Sequence, residues 1–386
     1  MPCRSRPTNS ASPSAPERLL ATSTMAPQPR PGIMDIAPYV GGEARIPGIA
    51  KPIRLASNEN PFGASPAAVA AFHQAAAELN RYPDGTAAAL RTAIGQAHGL
   101  DPQRIVCGAG SDEVLTLLVR GYAGPGDEVL VSRHGFLVYP IAARSAGATP
   151  IEAPERDLTV SVDNLLARVS ERTRVVVIAN PSNPTGSYLP HDEVERLRAG
   201  LPEQVLLILD AAYAEYVTEP DYDPGAALVE RHDCVVMTRT FSKLYGLASL
   251  RLGWAYCPPA VADVLNRLRG PFNVPGPTQA AGVAALADTE FKEGCRAHNS
   301  RARECFTEAL RSIGLLVHPS VCNFVLVEFP RDPGRDAAAA LAFLKTRGIL
   351  VRGMGTYHLP HCLRITVGRD EELRATHSAL AEFVKS

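Results

Sequence analysis

Lys243 closes a strand-like run that starts at Cys234, and Arg251 follows eight residues later. Ammonium groups are almost never fully buried unless they are paired or chemically used. An amine at such a place is either a strand-end side chain reaching water or a nucleophile. The preceding run, Gln204–Leu209, ends in Asp210, with Tyr213 three residues on. A carboxylate just after Val-Leu-Leu-Ile-Leu is desolvated and needs a cationic partner to stay charged; taken alone, it also reads as a helix cap. Arg174–Ala179 ends in Asn180-Pro-Ser-Asn183-Pro184-Thr185-Gly186, a rigid turn that can present the Asn183 amide. Arg104–Gly108 opens into Ala109-Gly110-Ser111-Asp112-Glu113. There glycine lets the backbone approach a ligand and a helix N-terminus offers N–H groups to a phosphate, or Ser111 simply caps the helix.

Taken together, consecutive strand ends offer a phosphate cradle, an amide, a buried acid, a phenol, an amine and a guanidinium. Pyridoxal 5′-phosphate uses all of them. Its aldehyde needs a lysine for a Schiff base, and its pyridine nitrogen needs a carboxylate to remain protonated. Its phosphate needs a helix N-terminus and an arginine. On this reading the Lys243 amine is present to react rather than to remain a buried cation.

These residues need a frame that lines up strand ends. Strands are expected at Arg104–Gly108, Glu128–Val131, Thr149–Glu152, Arg174–Asn180, Gln204–Asp210, Cys234–Thr240 and Leu252–Cys257. Most are short continuous apolar runs, the pattern of strands buried on both faces of a mainly parallel sheet. Helical patterns alternate with them at Ser111–Gly121, Leu137–Ala146, Val162–Arg168 and Asp192–Arg198, so the fold class is α/β, a sheet covered by helices. Ligands in such sheets bind beyond the carboxyl ends of the strands. After the break at Pro271–Pro277 the pattern becomes that of a smaller α+β C-terminal domain. It comprises one helix over Thr278–Ile313, a strand at Asn323–Phe329, a helix at Asp336–Arg347, an extended stretch at Ile349–Arg352, a strand at Cys362–Val367 and a final helix at Asp370–Val384. The expected division is a tail (1–30), an N-terminal arm (31–57), a large cofactor-binding domain (58–275) and a small domain (276–386).

Composition narrows the function classes. The 386 residues are 46% hydrophobic and 20% charged, with a formal net charge of −1, so no global field draws the chain to nucleic acid or an anionic membrane. No apolar run is long enough to span a bilayer. The eight cysteines, at 3, 107, 234, 257, 295, 305, 322 and 362, form no Cys-x-x-Cys pair. Neither a metal site nor a disulfide framework is expected, and a reducing cytoplasm fits. Residues 1–30 are rich in Pro, Ser, Thr and Ala, with one acid, Glu17. They fit a disordered tail, an early start codon with Met25 or Met34 as the later one, or a transit peptide.

The motifs GAGSDE (108–113), NPSNPTG (180–186), DAAYAEY (210–216), TFSKLYGLASLRLGW (240–254) and CLRITVG (362–368) resemble those of the fold-type I PLP-dependent aminotransferases. More narrowly, LASNENPFG (55–63), RYPDGT (81–86), GPFNVPGPTQAAGVAAL (270–286) and VRGMGTYHLPHCLRITVG (351–368) resemble the histidinol-phosphate aminotransferase family, over residues 31–386. The resemblance implies that Lys243 carries the cofactor and, once freed, shuttles the proton between substrate Cα and cofactor C4′. Asp210 pairs with the ring nitrogen, and Tyr213 and Asn183 with the phenolic oxygen. It further implies that backbone groups of Ala109, Gly110 and Ser111, with Ser242 and Arg251, hold the phosphate, and that Phe136 stacks on the ring. Tyr82 is expected to cross to the partner site of a homodimer. Arg364 is implied as the substrate's anion clamp, with Arg352 and Tyr39 as further contacts to its phosphate; an exposed rim arginine is the other reading of Arg352. The implied reaction joins L-histidinol phosphate and 2-oxoglutarate, giving imidazole acetol phosphate and glutamate in histidine biosynthesis. Transamination of phenylalanine and tyrosine and decarboxylation of threonine phosphate are the alternatives on this scaffold. A PLP-binding regulator would need a helix-turn-helix that residues 1–30 do not supply. One departure stands out: Ala211 replaces the acid of the family's DEAY pattern.

Overall fold

The computed structural model of the chain describes residues 27–385, so the expected tail lies outside the described residues up to position 26. Thirteen strands are present among the described residues: β1 (Ile53–Arg54), β2 (Ile105–Gly108), β3 (Glu128–Ser132), β4 (Thr149–Ala153), β5 (Thr173–Ala179), β6 (Leu206–Asp210), β7 (Val235–Thr240), β8 (Gly253–Tyr256), β9 (Leu316–His318), β10 (Phe324–Glu328), β11 (Ile349–Leu350), β12 (Arg352–Gly353) and β13 (Cys362–Thr366). A seven-stranded sheet runs β2-β8-β7-β6-β5-β3-β4. β8 is antiparallel to both its neighbours, and the β7-β6-β5-β3-β4 pairings are parallel.

Alternate residues of the central strands enter different cores. Val176, Ile178, Leu207 and Leu209 pack on one face, and Val175, Val177, Leu206 and Ile208 on the other. Burial on both faces is why these strands read as unbroken apolar runs. The same alternation turns Asp210 toward the face of Leu206 and Ile208, where Tyr139 of the helix Val138–Ala146 is buried.

A separate antiparallel sheet, β12-β13-β10-β9, carries the C-terminal strands. Two expectations are corrected here. Residues 278–313 form two helices, Gly276–Ala287 and Thr289–Ser312, because Asp288 leaves helical geometry and its side chain accepts the N–H of Phe291 as a cap. Ala281 and Ala285 of the first helix bury with the large sheet, whereas Ala302 and Phe306 of the second bury with the small one. The stretch 349–352 is likewise two strands. β11 pairs in parallel with β1 of the N-terminal arm, and β12 joins β13.

Candidate active site

The carboxyl ends of β5, β6 and β7, the N-terminus of the helix Ser111–Tyr122 and the face of β13 converge on one cavity of about 290 Å³. Its walls include Ser111, Phe136, Asn183, Asp210, Tyr213, Ser242, Lys243, Arg251, Tyr39, Arg352 and Arg364. Eleven expected site residues, from seven separate segments of the chain, therefore meet in one place.

Asp210 lies at the end of β6, 4% exposed. Its Oδ2 accepts the Tyr139 hydroxyl at 2.7 Å and its Oδ1 the Thr238 hydroxyl at 3.1 Å. Both donors are neutral, so burial dominates and pushes its pKa up to about 6. Lys243 Nζ has a carbonyl partner, Ser57 O, at 3.4 Å. Burial lowers its pKa to about 8, and the positive charges of Arg364 and Arg251 push the same way. An acid held by neutral donors and an amine short of an anion are what a charged, aldehyde-bearing ring would complete.

At the opposite end Gly110 takes φ +85°, and a Cβ there would lie 2.5 Å from the Arg251 guanidinium, so only glycine fits. Arg251 holds a left-handed backbone, φ +50°. Its side chain donates to Ser242 Oγ (3.4 Å), Ala248 O (3.1 Å) and Asp112 Oδ2 (3.0 Å). Ser111 begins a twelve-residue helix, so the first-turn N–H groups have no carbonyl one turn earlier to accept them. The Ala109 N–H differs: it donates to Glu113 Oε2 at 2.6 Å. The Gly110 N–H donates to Gly108 O at 2.8 Å.

Tyr213 is buried, and burial pushes its phenol up. Asn58 Nδ2 donates to its hydroxyl at 2.8 Å. Arg364, 6% exposed, donates to Asn183 Oδ1 and, at 2.9 Å, to Ala56 O, while its buried Nε has no partner. Nearer the mouth, Arg352 donates to Val40 O at 2.6 Å. Tyr39 and Phe136 meet edge to face, ring centroids 6.1 Å apart. The cavity thus has two cationic ends, Arg251 at the helix and Arg364 with Arg352 at the small sheet.

Tyr82 does not line the cavity. It is 83% exposed and stacks on Phe272 at 4.7 Å. Ala211 also stays out of the cavity; it is fully buried in the large core, its N–H bonded to Thr238 O. Sequence reasoning missed Asn58 and Tyr139. Asn58 lay inside a quoted motif, and Tyr139 lies three residues beyond Phe136, the two rings meeting edge to face at 5.8 Å.

A family model for aminotransferases of class I and II matches residues 50–380. A histidinol-phosphate aminotransferase of Rhodospirillum centenum is 64% identical over 359 residues, covering 93% of this chain and 99% of that protein. One of Paramagnetospirillum magneticum is 58% identical with the same coverage. Among solved structures, the histidinol-phosphate aminotransferase of Sinorhizobium meliloti in complex with pyridoxal-5′-phosphate superposes with a TM-score of 0.84 at 30% identity. That match covers 94% of this chain and 99% of the other.

Proposed function

The chain belongs to the class I and II aminotransferases and, within them, to the histidinol-phosphate aminotransferase family, and on that premise we propose that it transfers the amino group of L-histidinol phosphate to 2-oxoglutarate. Pyridoxal 5′-phosphate, when bound, supplies an electron sink for the pair left by a broken Cα–H bond. Asp210 would hold the ring nitrogen, Tyr213 and Asn183 the phenolic oxygen, and Phe136 would cover the ring. Ser111, Ser242 and Arg251 would hold the phosphate.

The residues of the chain do the rest. Lys243, its pKa lowered to about 8, is partly neutral near neutral pH. Its Nζ would hold the proton taken from the substrate Cα and deliver it to C4′ of the cofactor. Arg364 binds the substrate's anion through a planar donor fork, with Arg352 and Tyr39 beside it. The observation that carries this reading is the second cationic end of the cavity. Arg364 keeps a buried N–H with no partner in the protein, well suited to an anionic group on the substrate.

The assembly proposed is a homodimer in which Tyr82 serves the partner's cofactor phosphate; the stacked and exposed Tyr82–Phe272 pair supports a surface that a second copy covers. No described helix is long and apolar enough to cross a membrane. The described cysteines are all free, in keeping with a cytoplasmic enzyme.

Single-turnover measurements test the substrate. Histidinol phosphate is expected to discharge the cofactor's visible absorbance far faster than phenylalanine, tyrosine or threonine phosphate. Equal or faster reaction with the aromatic acids would overturn the substrate reading. Release of carbon dioxide from threonine phosphate would overturn the reaction type.

A further inference from the structure

The small sheet holds a second cluster of chemically active side chains, none of which lines the active-site cavity. Glu328 of β10 stands directly opposite Cys362 of β13, and Leu326 opposite His318 of β9. Side chains two apart on a strand share a face, so His318, Glu328 and Cys362 project from three neighbouring strands to the same side. One ligand-capable atom from each lies within 4.8 Å of the other two. His361, next to Cys362, reaches the same carboxylate from the other direction. His318 Nε2 is 3.1 Å from Glu328 Oε2, and His361 Nε2 is 3.8 Å from Glu328 Oε1.

We propose that His318, Glu328 and Cys362 form a binding site for one divalent transition-metal ion of the zinc class, with water completing its shell. An imidazole, a carboxylate and a thiol are a borderline donor set, which favours zinc over magnesium or calcium. Metal–nitrogen and metal–oxygen bonds of about 2.0–2.1 Å in a tetrahedron separate neighbouring ligands by about 3.3 Å, close to the 3.1 Å between His318 and Glu328. Among the described residues no lysine or arginine forms an ion pair with Glu328; its ion-pair partners are the two imidazoles. A plain cross-strand ion pair accounts for His318 with Glu328. It does not account for a thiol on the same face whose sulfur lies within 4.8 Å of both partners.

An incoming metal would displace the Cys362 proton to solvent and neutralise the thiolate and carboxylate together. The side chains of His318, Glu328 and His361 are 20–29% exposed, which leaves the ion a route in from water. Leu326 lies opposite both His318 and Arg364, so a bound ion would clamp β9, β10 and β13, the strand that carries Arg364.

The test uses untagged holoenzyme, stripped with a chelator and dialysed against zinc chloride. Elemental analysis is expected to give one zinc per chain, and zinc is expected to raise the melting temperature. Cobalt chloride is expected to give the intense long-wavelength bands of a tetrahedral site. Cys362→Ser should weaken binding at least about tenfold and lose the zinc-dependent rise in melting temperature while keeping transaminase turnover. His318→Ala, at a partly exposed position, carries the same test should the cysteine variant not fold. Zinc well below one per chain, or equal binding by wild type and the His318→Ala variant, would overturn the proposal.

Discussion

The Tyr213 hydroxyl accepts a hydrogen bond from Asn58 Nδ2 at 2.8 Å, while Asn58 Oδ1 accepts from Thr366 Oγ1 at 3.2 Å. With its oxygen accepting from Asn58, the Tyr213 hydroxyl keeps its own proton free to donate. Asn58 sits in a left-handed conformation, φ +56°, with its N–H on Thr366 Oγ1 and its C=O on Asn323. The orientation of the phenol is therefore fixed by Asn58, just past the N-terminal arm, and through it by the small sheet. Asn58→Asp would turn that donor into an acceptor and capture the Tyr213 proton. The pH at which the bound cofactor changes colour should then rise; an unchanged value would show that Asn58 does not set the phenol's direction.

Lys243→Ala should remove both the covalent attachment of the cofactor and the proton carrier. Turnover is expected to fall by roughly 10²–10⁴-fold or more, with loss of the cofactor's lysine-linked absorbance. Steady-state rates and a visible spectrum check this. Near-normal turnover in the variant would refute the assignment.

Asp210 carries a linked effect on stability. Its folded pKa, about 6, lies above the unfolded value of 3.8, so the folded apoprotein holds an extra proton between those values. Stability from this group is therefore lost as pH rises from about 4 to 6. Asp210→Asn should stabilise the cofactor-free protein above pH 6, by up to about 3 kcal/mol, and the advantage should vanish toward pH 4. Urea melts across that range read the difference. A constant offset with pH would contradict the burial argument. In the holoenzyme the same substitution should slow turnover, since the ring nitrogen loses its charge partner.

Arg364→Lys keeps a positive charge but loses the planar fork and the bonds to Asn183 and Ala56. Substrate binding is expected to weaken by about 10- to 100-fold, mostly in KM. If kcat alone falls, Arg364 acts on the chemistry rather than on the anion.

The Arg352 contact with Val40 predicts a milder outcome. Arg352→Gln should raise KM for the phosphorylated substrate while leaving a non-phosphorylated amine donor such as glutamate nearly unaffected. Equal losses for both donors would mean that the residue acts through the position of the arm.

How much the sequence disclosed follows from where each residue sits. Asp210, Lys243 and Asn183 follow unbroken apolar runs, and a strand buried on both faces ends abruptly in chemistry. Tyr139 and Asn58 gave no comparable signal, because their importance lies in partners 71 and 155 residues away. The helix expected over 278–313 failed at one aspartate, whose choice between exposed helix and cap is local and invisible to periodicity. The 349–352 stretch gave no sign of serving two sheets, since a two-residue strand carries no pattern. His318, Glu328 and Cys362 escape spacing rules entirely, because strand pairing rather than a short motif brings them together.

The pairing of β1 with β11 sets an order of assembly. Leu55, just after β1, is buried among residues that come from the last third of the chain. As the protein is made, the seven-stranded sheet can form from contacts between nearby segments. The arm must wait until some three hundred further residues have emerged, a loop closure that is slow to find. Until then Leu55 and its neighbours stay uncovered. The nascent enzyme therefore holds a half-built site, its phenol not yet held by Asn58 and its Arg364 not yet in place, and becomes competent only when the arm and the small sheet meet.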